Sequence, residues 1–340
     1  MSAEYATFAL APAVRAGGFL ADGGFEVHRD FMDFVVDGHP LLHLLSGLDA
    51  VSPLASDVPP AIITRQVRGL LLETDAPLPG GRHVLYGCPE CEELGCGAVT
   101  AVIEQEGNDV VWRDFAWQTD ATVDLELNGY LGTGPFRFRA DEYRAALERL
   151  LDDATPRARR RVLLIGARAA ALARLAAALR TIGIGADIAH DTAAVPAEEL
   201  RGYAAVVFAG SVAQSERAAV RTAFTGSGAD VACVDALADV VPLVVAQVEQ
   251  ALDRGPAGHR RLTGLTADGG TASVTVASVC RVRLVAYRLD RLHRTRTHEV
   301  FDGTLDPGTH CIPLDSDAAK GRSFLVARAA GGVLVAAVAR

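Results

Sequence analysis

The apolar and polar positions of the chain change period twice. Across residues 1–152, strands and helices alternate without a regular order. Residues 25–45 read as a strand, a turn at Asp37-Gly38 and a short helix. Ile62, Ile63, Val67, Leu70 and Leu71 recur at helical spacing over 61–73, behind Pro59-Pro60, which suits a first helical turn. Residues 83–86, 98–105 and 109–117 alternate as strands, and a Gly-Asn-Asp turn joins the last two into a hairpin. Thr133-Gly134-Pro135 breaks the chain before Phe136-Arg137-Phe138. Residues 140–151 then form an amphipathic helix with Tyr143, Ala146, Leu147 and Leu150 on one face. The expected unit is an α+β domain over 1–152, with the Ala- and Gly-rich residues 1–24 loosely tied.

A charged, proline-containing stretch at 152–161, DDATPRARRR, marks a boundary. Beyond it, short apolar runs at 161–165, 186–189, 203–208 and 230–234 alternate with helical patterns at 169–181, up to Phe224, and at 242–252. Strands separated by helices of that length imply a parallel sheet with right-handed crossovers. A small doubly wound domain, Rossmann-like or receiver-like, is expected over 160–254. After Gly255-Pro256-Ala257-Gly258 the period becomes two. Six short strands at 272–276, 281–289, 294–301, 310–314, 323–329 and 333–338 suggest a β-sandwich over 262–340. The fold class expected for the whole is a multi-domain α/β plus β protein.

Composition narrows the chemistry. Half of the 340 residues are apolar, so ordered domains are expected rather than disorder. No apolar run approaches the roughly 20 residues of a membrane helix, and no basic-then-apolar leader opens the chain. Unevenly spaced cysteines fit a reducing cytoplasm better than a disulfide framework. All the basic residues but one are arginine, and Lys320 is the single lysine. Phosphate-loop NTPases, protein kinases, pyridoxal-phosphate enzymes and Tyr-Lys dehydrogenases each need a lysine in a set context. Asp-Ala-Ala-Lys320-Gly-Arg-Ser matches none of them.

The most distinctive stretch runs from Tyr86 to Phe115 and places Cys88, Cys91 and Cys96 as C-x2-C-x4-C. Thiolates at this spacing hold zinc when a fourth ligand is present. His83, five residues upstream, and Glu90, Glu92 or Glu93 are the candidates. The alternatives are a redox pair, Cys88–Cys91, or three reduced thiols with no ion. A thioredoxin-type dithiol should open a helix, whereas this one leads toward a strand.

In the middle domain, Gly166 follows the first strand, with alanine or arginine where G-x-G-x-x-G needs its later glycines. A Cβ there obstructs close approach of a pyrophosphate, which argues against a nicotinamide dinucleotide. A ligand would still lie at the carboxyl ends of the strands, so Gly166, Arg168, Gly210, Ser211 and Asp235 are the candidate cofactor-binding residues, with Gln214 beside them. The paired acids of a phosphoacceptor are missing after the first strand. No complete catalytic set is present.

Net charge is −9 at pH 7, with acids in excess over 1–150 and bases over 256–340. In the last domain Arg281 and Arg283 share one strand face, as do Arg294, Arg296 and His298. This arginine row is expected to be solvated, or to meet acids in the N-domain or in a protein partner. Nucleic acid is disfavoured by the overall acidity.

Cys88–Tyr143 resembles an uncharacterised bacterial family that pairs a short cysteine cluster with V-x-W-x-D-F, G-P-F-x-F-D and an aromatic-A-L helix. The matching pieces are CPECEELGCG, Val111–Phe115, Gly134–Phe138 and Tyr143–Leu147, with Arg139 where an acid is usual. Residues 160–253 and 260–340 resemble actinobacterial proteins labelled oxidoreductases. That resemblance implies a nicotinamide cofactor. The residues themselves lead to a cytosolic, non-catalytic recognition or assembly protein with a protein or peptide partner, serving a biosynthetic enzyme system. An oxidoreductase using a nicotinamide or the Cys88/Cys91/Cys96 loop is the alternative.

Overall fold

The computed structural model describes residues 5–19, 24–45, 48–55, 60–90, 94–152, 161–189, 200–268, 270–290, 294–315, 318 and 322–339. The linker at 153–160, Cys91, Glu92, Glu93 and Lys320 lie outside the described residues. The protein is mixed α/β, rich in strand, and includes a four-stranded parallel sheet. It divides into two compact units, neither of them contiguous in sequence. The first holds residues 1–15, 29–157 and 255–259, and the second holds 16–28, 158–254 and 260–340.

Of the residues expected to be loosely tied, 8–15 and 18–19 are instead built into sheets. Strand β1 (Phe8–Arg15) leads into a hairpin of the second unit, β2 (Gly18–Phe19) and β3 (Phe25–Glu26). The chain then returns as β4 (Arg29–Val36), which pairs antiparallel with β1 from Phe8↔Val36 to Arg15↔Arg29. The pairing is long-range, so no local period announces it. Strand β5 (His39–Pro40) and helices α1 (Leu41–Leu44) and α2 (Pro60–Leu70) follow.

The expected hairpin is present as β7 (Ala98–Glu106) and β8 (Asp109–Gln118), flanked by β6 (Arg82–Gly87) and β9 (Phe136–Arg139) in the order β6-β7-β8-β9. Short α3 (Leu125–Asn128) precedes β9, and α4 (Ala140–Asp152) follows it. Trp112 is fully buried at the centre of an aromatic cluster, with ring centroids 5.3 Å from Phe34, 5.5 Å from Phe8, 5.6 Å from Phe138 and 6.0 Å from Tyr143. Its Nε1 donates to Tyr143 Oη at 3.3 Å, and that hydroxyl donates to Leu70 O at 2.9 Å. Burial pushes the Tyr143 phenol up, against the opposing hydrogen bond from Trp112.

Simple alternation puts Trp112 and Phe115 on opposite faces, yet both are buried in this core. A β-bulge is the reason. The register shifts between Thr100 and Val102, so Asp114 and Phe115 stand opposite Ala101 alone, and Asp114 takes a left-handed φ of 54°. The extra residue turns Phe115 back to the core face.

In the second unit, β10 (Arg161–Ile165), β11 (Gly185–Ala189), β12 (Tyr203–Phe208) and β13 (Ala232–Asp235) form the parallel sheet, ordered β11-β10-β12-β13. Val162, Leu164, Ala205 and Val207 pack on one face with α5 (Ala169–Thr181). Leu163, Ile165, Val206 and Phe208 pack on the other with Val220 and Phe224 of α6 (Gln214–Ser227). Strands that are apolar on both faces are what helix-covered parallel sheets require.

Helix α7 (Val241–Leu252) is apolar around most of its girth and is buried on two sides. Val244, Val245, Val248 and Leu252 join α5 and the parallel sheet, while Leu243 and Ala246 meet Phe324, Val326 and Val333. Those partners belong to the antiparallel sheets of the last third. One holds β14 (Leu262–Ala267), β15 (Thr271–Val276) and β18 (Gly308–Pro313). The other holds β16 (Cys280–Leu289), β17 (Thr295–Leu305), β19 (Ser323–Ala329) and β20 (Gly332–Ala337), ordered β17-β16-β19-β20.

Three members of the arginine row have acidic partners close by in the same unit. Arg281 binds Asp302 through Nε and Nη2 at 2.8 and 2.9 Å, Arg283 reaches Glu299 at 3.1 Å, and Arg296 reaches Asp290 at 3.2 Å. Antiparallel pairing of β16 with β17 brings Asp302 and Glu299 beside Arg281 and Arg283.

Candidate functional site

The carboxyl edge of the parallel sheet has two halves. Behind β12 and β13 it is closed. Arg217 of α6 donates to Ala209 O at 3.1 Å, Val212 O at 3.0 Å and Asp235 Oδ1 at 2.6 Å, while Arg221 reaches Asp235 Oδ2 at 3.0 Å. Both guanidiniums lie over the Phe208 ring, at 5.9 and 5.1 Å from its centroid. Asp235, a candidate from the sequence, is thus occupied by two arginines of the neighbouring helix.

Between β10 and β12 the two strand-end loops are zipped together. Ala209 N donates to Ile165 O at 2.9 Å, and Ala167 N donates to Ser211 Oγ at 3.4 Å. A Cβ on Gly166 would stand 2.7 Å from the Ala209 Cβ. Gly166 is therefore required by this loop contact. Gly210 lies in open surroundings, and Gln214 opens α6.

On the α5 and α7 face the edge is open. A cavity of about 770 Å³ is walled by the first two turns of α5, by Val207 and Ala209 of the sheet end, by Val240, Val241 and Val244, and by Leu289. Arg168, Arg174 and Asp239 are the charged groups of its lining. Arg168 Nη1 and Asp239 Oδ2 form an ion pair at 3.1 Å with both side chains at least half exposed, so the pair sits where solvent reaches it. Among the sequence-derived candidates, only Arg168 faces this space. The walls carry no motif in the sequence, where α7 and Leu289 read as plain core. The one sequence signal was the apolar circumference of 241–252, which exceeds what a single sheet face can cover.

A buried charge cluster lies in the same unit. Glu249 of α7 is fully buried, 2.7 Å from Arg328 Nη1 and 3.4 Å from His28 Nδ1. Arg328 also donates to Gly17 O, and its guanidinium carbon lies 3.0 Å from where a Cβ on Gly18 would be. Burial alone would push the Glu249 carboxyl up, but Arg328 and His28 outweigh it and hold the group below its ordinary range. This cluster fastens the hairpin β2–β3 to α7 and β19.

In the first unit the cysteine loop is anchored at its start. Arg15, almost wholly buried, binds Asp49 through Nε at 3.0 Å and Nη2 at 2.8 Å, and Glu90 through Nη1 at 2.8 Å. Arg29 donates to Pro89 O at 2.8 Å. Glu90, one of the carboxylates considered as a metal ligand, is engaged by Arg15. Cys88 is half-buried and Cys96 exposed. His83 lies five residues up-strand from Cys88, roughly 16 Å at the rise of a β-strand. Burial pushes its pKa down, which keeps the ring neutral. Among the described residues no group of three His, Cys, Asp or Glu is close enough to hold a metal ion. Gly97, with φ 99°, is covered by the Trp117 indole, and a Cβ there would overlap the ring. Gly97 thus has a packing reason. The chain matches no protein-family model, no curated protein and no solved structure.

Proposed function

We propose that this is a cytoplasmic, non-catalytic recognition protein whose second unit takes a small, largely apolar ligand between α5 and α7. The observation that carries this reading is the 770 Å³ cavity at the carboxyl edge of the parallel sheet. Small-molecule sites run to about 300–1,000 Å³, with apolar walls and a few placed polar groups. Here the walls are Ala, Val and Leu, and the polar groups are Arg168, Arg174 and Asp239. An anionic substituent on the ligand would compete with Asp239 for Arg168, and its apolar body would lie against Val207, Val240 and Val244.

The sheet order supports the location. We read 160–254 as a small doubly wound domain in which strand order reverses between the first and third strands, where such domains keep their ligands. We read the two antiparallel sheets of the last third as a β-sandwich and residues 1–152 as an α+β domain. Free thiols at Cys88, Cys233, Cys280 and Cys311 are in keeping with a reducing compartment.

The test is native mass spectrometry and thermal denaturation of the full chain against a metabolite panel, beside Ala171→Phe, which narrows the cavity from α5. A ligand at 100 times its Kd stabilises by about 2.7 kcal/mol. Stabilisation should be present in the parent and lost in the variant. A stoichiometric nicotinamide or flavin would replace the reading with a redox one, and equal responses of the two proteins would remove the site.

A further inference from the structure

In the first unit, the segment from Thr119 to Pro135 leaves β8 and returns along its other edge before β9 begins. Ala116 pairs with Thr100 of β7, so the bridge from Gly129 to Ala116 lies on the side of β8 away from β7. Local hydrogen bonds fix the shape of the segment. The Asp124 carboxylate caps α3, accepting from Glu126 N at 2.9 Å and Leu127 N at 3.2 Å. Tyr130 N donates to Phe115 O at 2.8 Å, and Thr133 N donates to Tyr130 O at 2.9 Å, which closes a turn with Leu131 at its corner. The Tyr130 ring packs against the core of the unit.

This ordered segment holds leucines out into solvent. Leu127 is 80% and Leu131 89% exposed, more than any other large apolar side chain among the described residues, and Leu125 is 37% exposed. Single exposed apolar side chains are ordinary, whereas several gathered on one fixed turn mark an interaction surface. Acids stand among them. Asp120, Asp124 and Glu126 are exposed, and no Lys, Arg or His occurs between Thr119 and Pro135. Glu104, Glu106 and Asp109 of the adjacent strands each meet an arginine. Among the described residues, these three carboxylates form no ion pair.

We propose that residues 120–131 are a docking surface for a protein partner that presents an apolar face flanked by lysine or arginine. The leucines supply the area to be buried, and the three carboxylates select the sign of the partner's rim. A second copy of this chain would set carboxylate against carboxylate across the contact, and the same charge repels an anionic lipid surface. Because the turn is already held by its own hydrogen bonds, little conformational freedom is lost when the partner seats. The surface belongs to the first unit and does not depend on a ligand between α5 and α7.

The experiment is fluorescence polarisation of a labelled amphipathic peptide of leucine and lysine with the full chain, beside a leucine–glutamate peptide of the same spacing. Saturable binding of the lysine peptide alone is expected. Leu127→Ser combined with Leu131→Ser should weaken it roughly tenfold or more, since both apolar contacts are lost. Asp120→Asn combined with Glu126→Gln should weaken it less, and that effect should shrink as salt rises. All four side chains are exposed, so the variants should keep the parent's denaturation midpoint. No saturable binding, equal binding of the two peptides, or unchanged binding in the leucine variant would overturn the proposal. So would a dimer in sedimentation that the leucine variant abolishes, which would assign the surface to a second copy.

Discussion

Arg82 donates from Nη2 to the carbonyl oxygen of Asp114 at 2.7 Å, so a buried guanidinium on β6 plugs the bulge of β8. The same side chain binds Thr100 Oγ1 at 2.8 Å, Thr100 O at 3.0 Å and Gln118 Oε1 at 3.2 Å. Burial pulls its pKa down, and the nearby Asp114 carboxylate opposes that pull. Arg82→Met should cost on the order of 3 kcal/mol, because several buried acceptors lose their donor at once. Urea denaturation reads the loss. A change under about 1 kcal/mol would show that the bulge stands without its plug.

Gly97→Ala should destabilise the first unit by about 2–4 kcal/mol, from overlap with Trp117 and a left-handed φ. Gly95→Ala, two residues away in open surroundings, is the control and should be close to neutral. Tryptophan emission should move in the first variant only.

Trp112→Ala should cost about 3–5 kcal/mol, since the whole indole is buried among aromatic rings. Tyr143→Phe isolates the polar part of that contact. It removes the hydroxyl that links Trp112 Nε1 to Leu70 O, at about 1–3 kcal/mol. Equal losses in the two variants would contradict this division between ring packing and hydrogen bonding.

Glu249 titrates below its ordinary 4.5 in the folded chain, so its stabilising contribution is complete above that pH and fades as acid protonates the carboxyl. Glu249→Gln should flatten the acid limb of the stability curve below about pH 4.5. Arg328→Met should be the harsher change, about 3–5 kcal/mol near neutral pH, because it strands a buried carboxylate. If it proves harmless, the cluster does not hold β2–β3.

Elements with a strong local period were legible in the sequence. The hairpin of β7 and β8, helix α4, and the strand–helix alternation of 161–252 stand where the pattern places them. What failed was set by long-range pairing or by a single backbone irregularity. Phe115 changes face because of one residue, Asp114, whose left-handed φ no period encodes. Strand β1 depends on β4, fourteen residues beyond its end, and its Ala-rich sequence, interrupted by Pro12, carries little strand signal. The acids that neutralise Arg281 and Arg283 emerge only once the register of β16 and β17 is known. At the candidate site, Arg168 was in view, whereas Asp239 and the valines of α7 became walls only through tertiary packing.

The excursion of residues 16–28 also decides how this protein can be cut and recombined. A break in the 153–160 linker looks, on the gene, like a clean separation of modules. The downstream fragment would carry Glu249 and Arg328 but lack the Gly17 carbonyl and the His28 ring, which are encoded upstream. The upstream fragment would carry a two-stranded ribbon with no seat. Neither half is therefore a transferable cassette, and truncation at that boundary would leave an ionised carboxylate without one of its partners in an apolar helix. Exchange by recombination would preserve the second unit only if its donor supplied residues 16–28 as well.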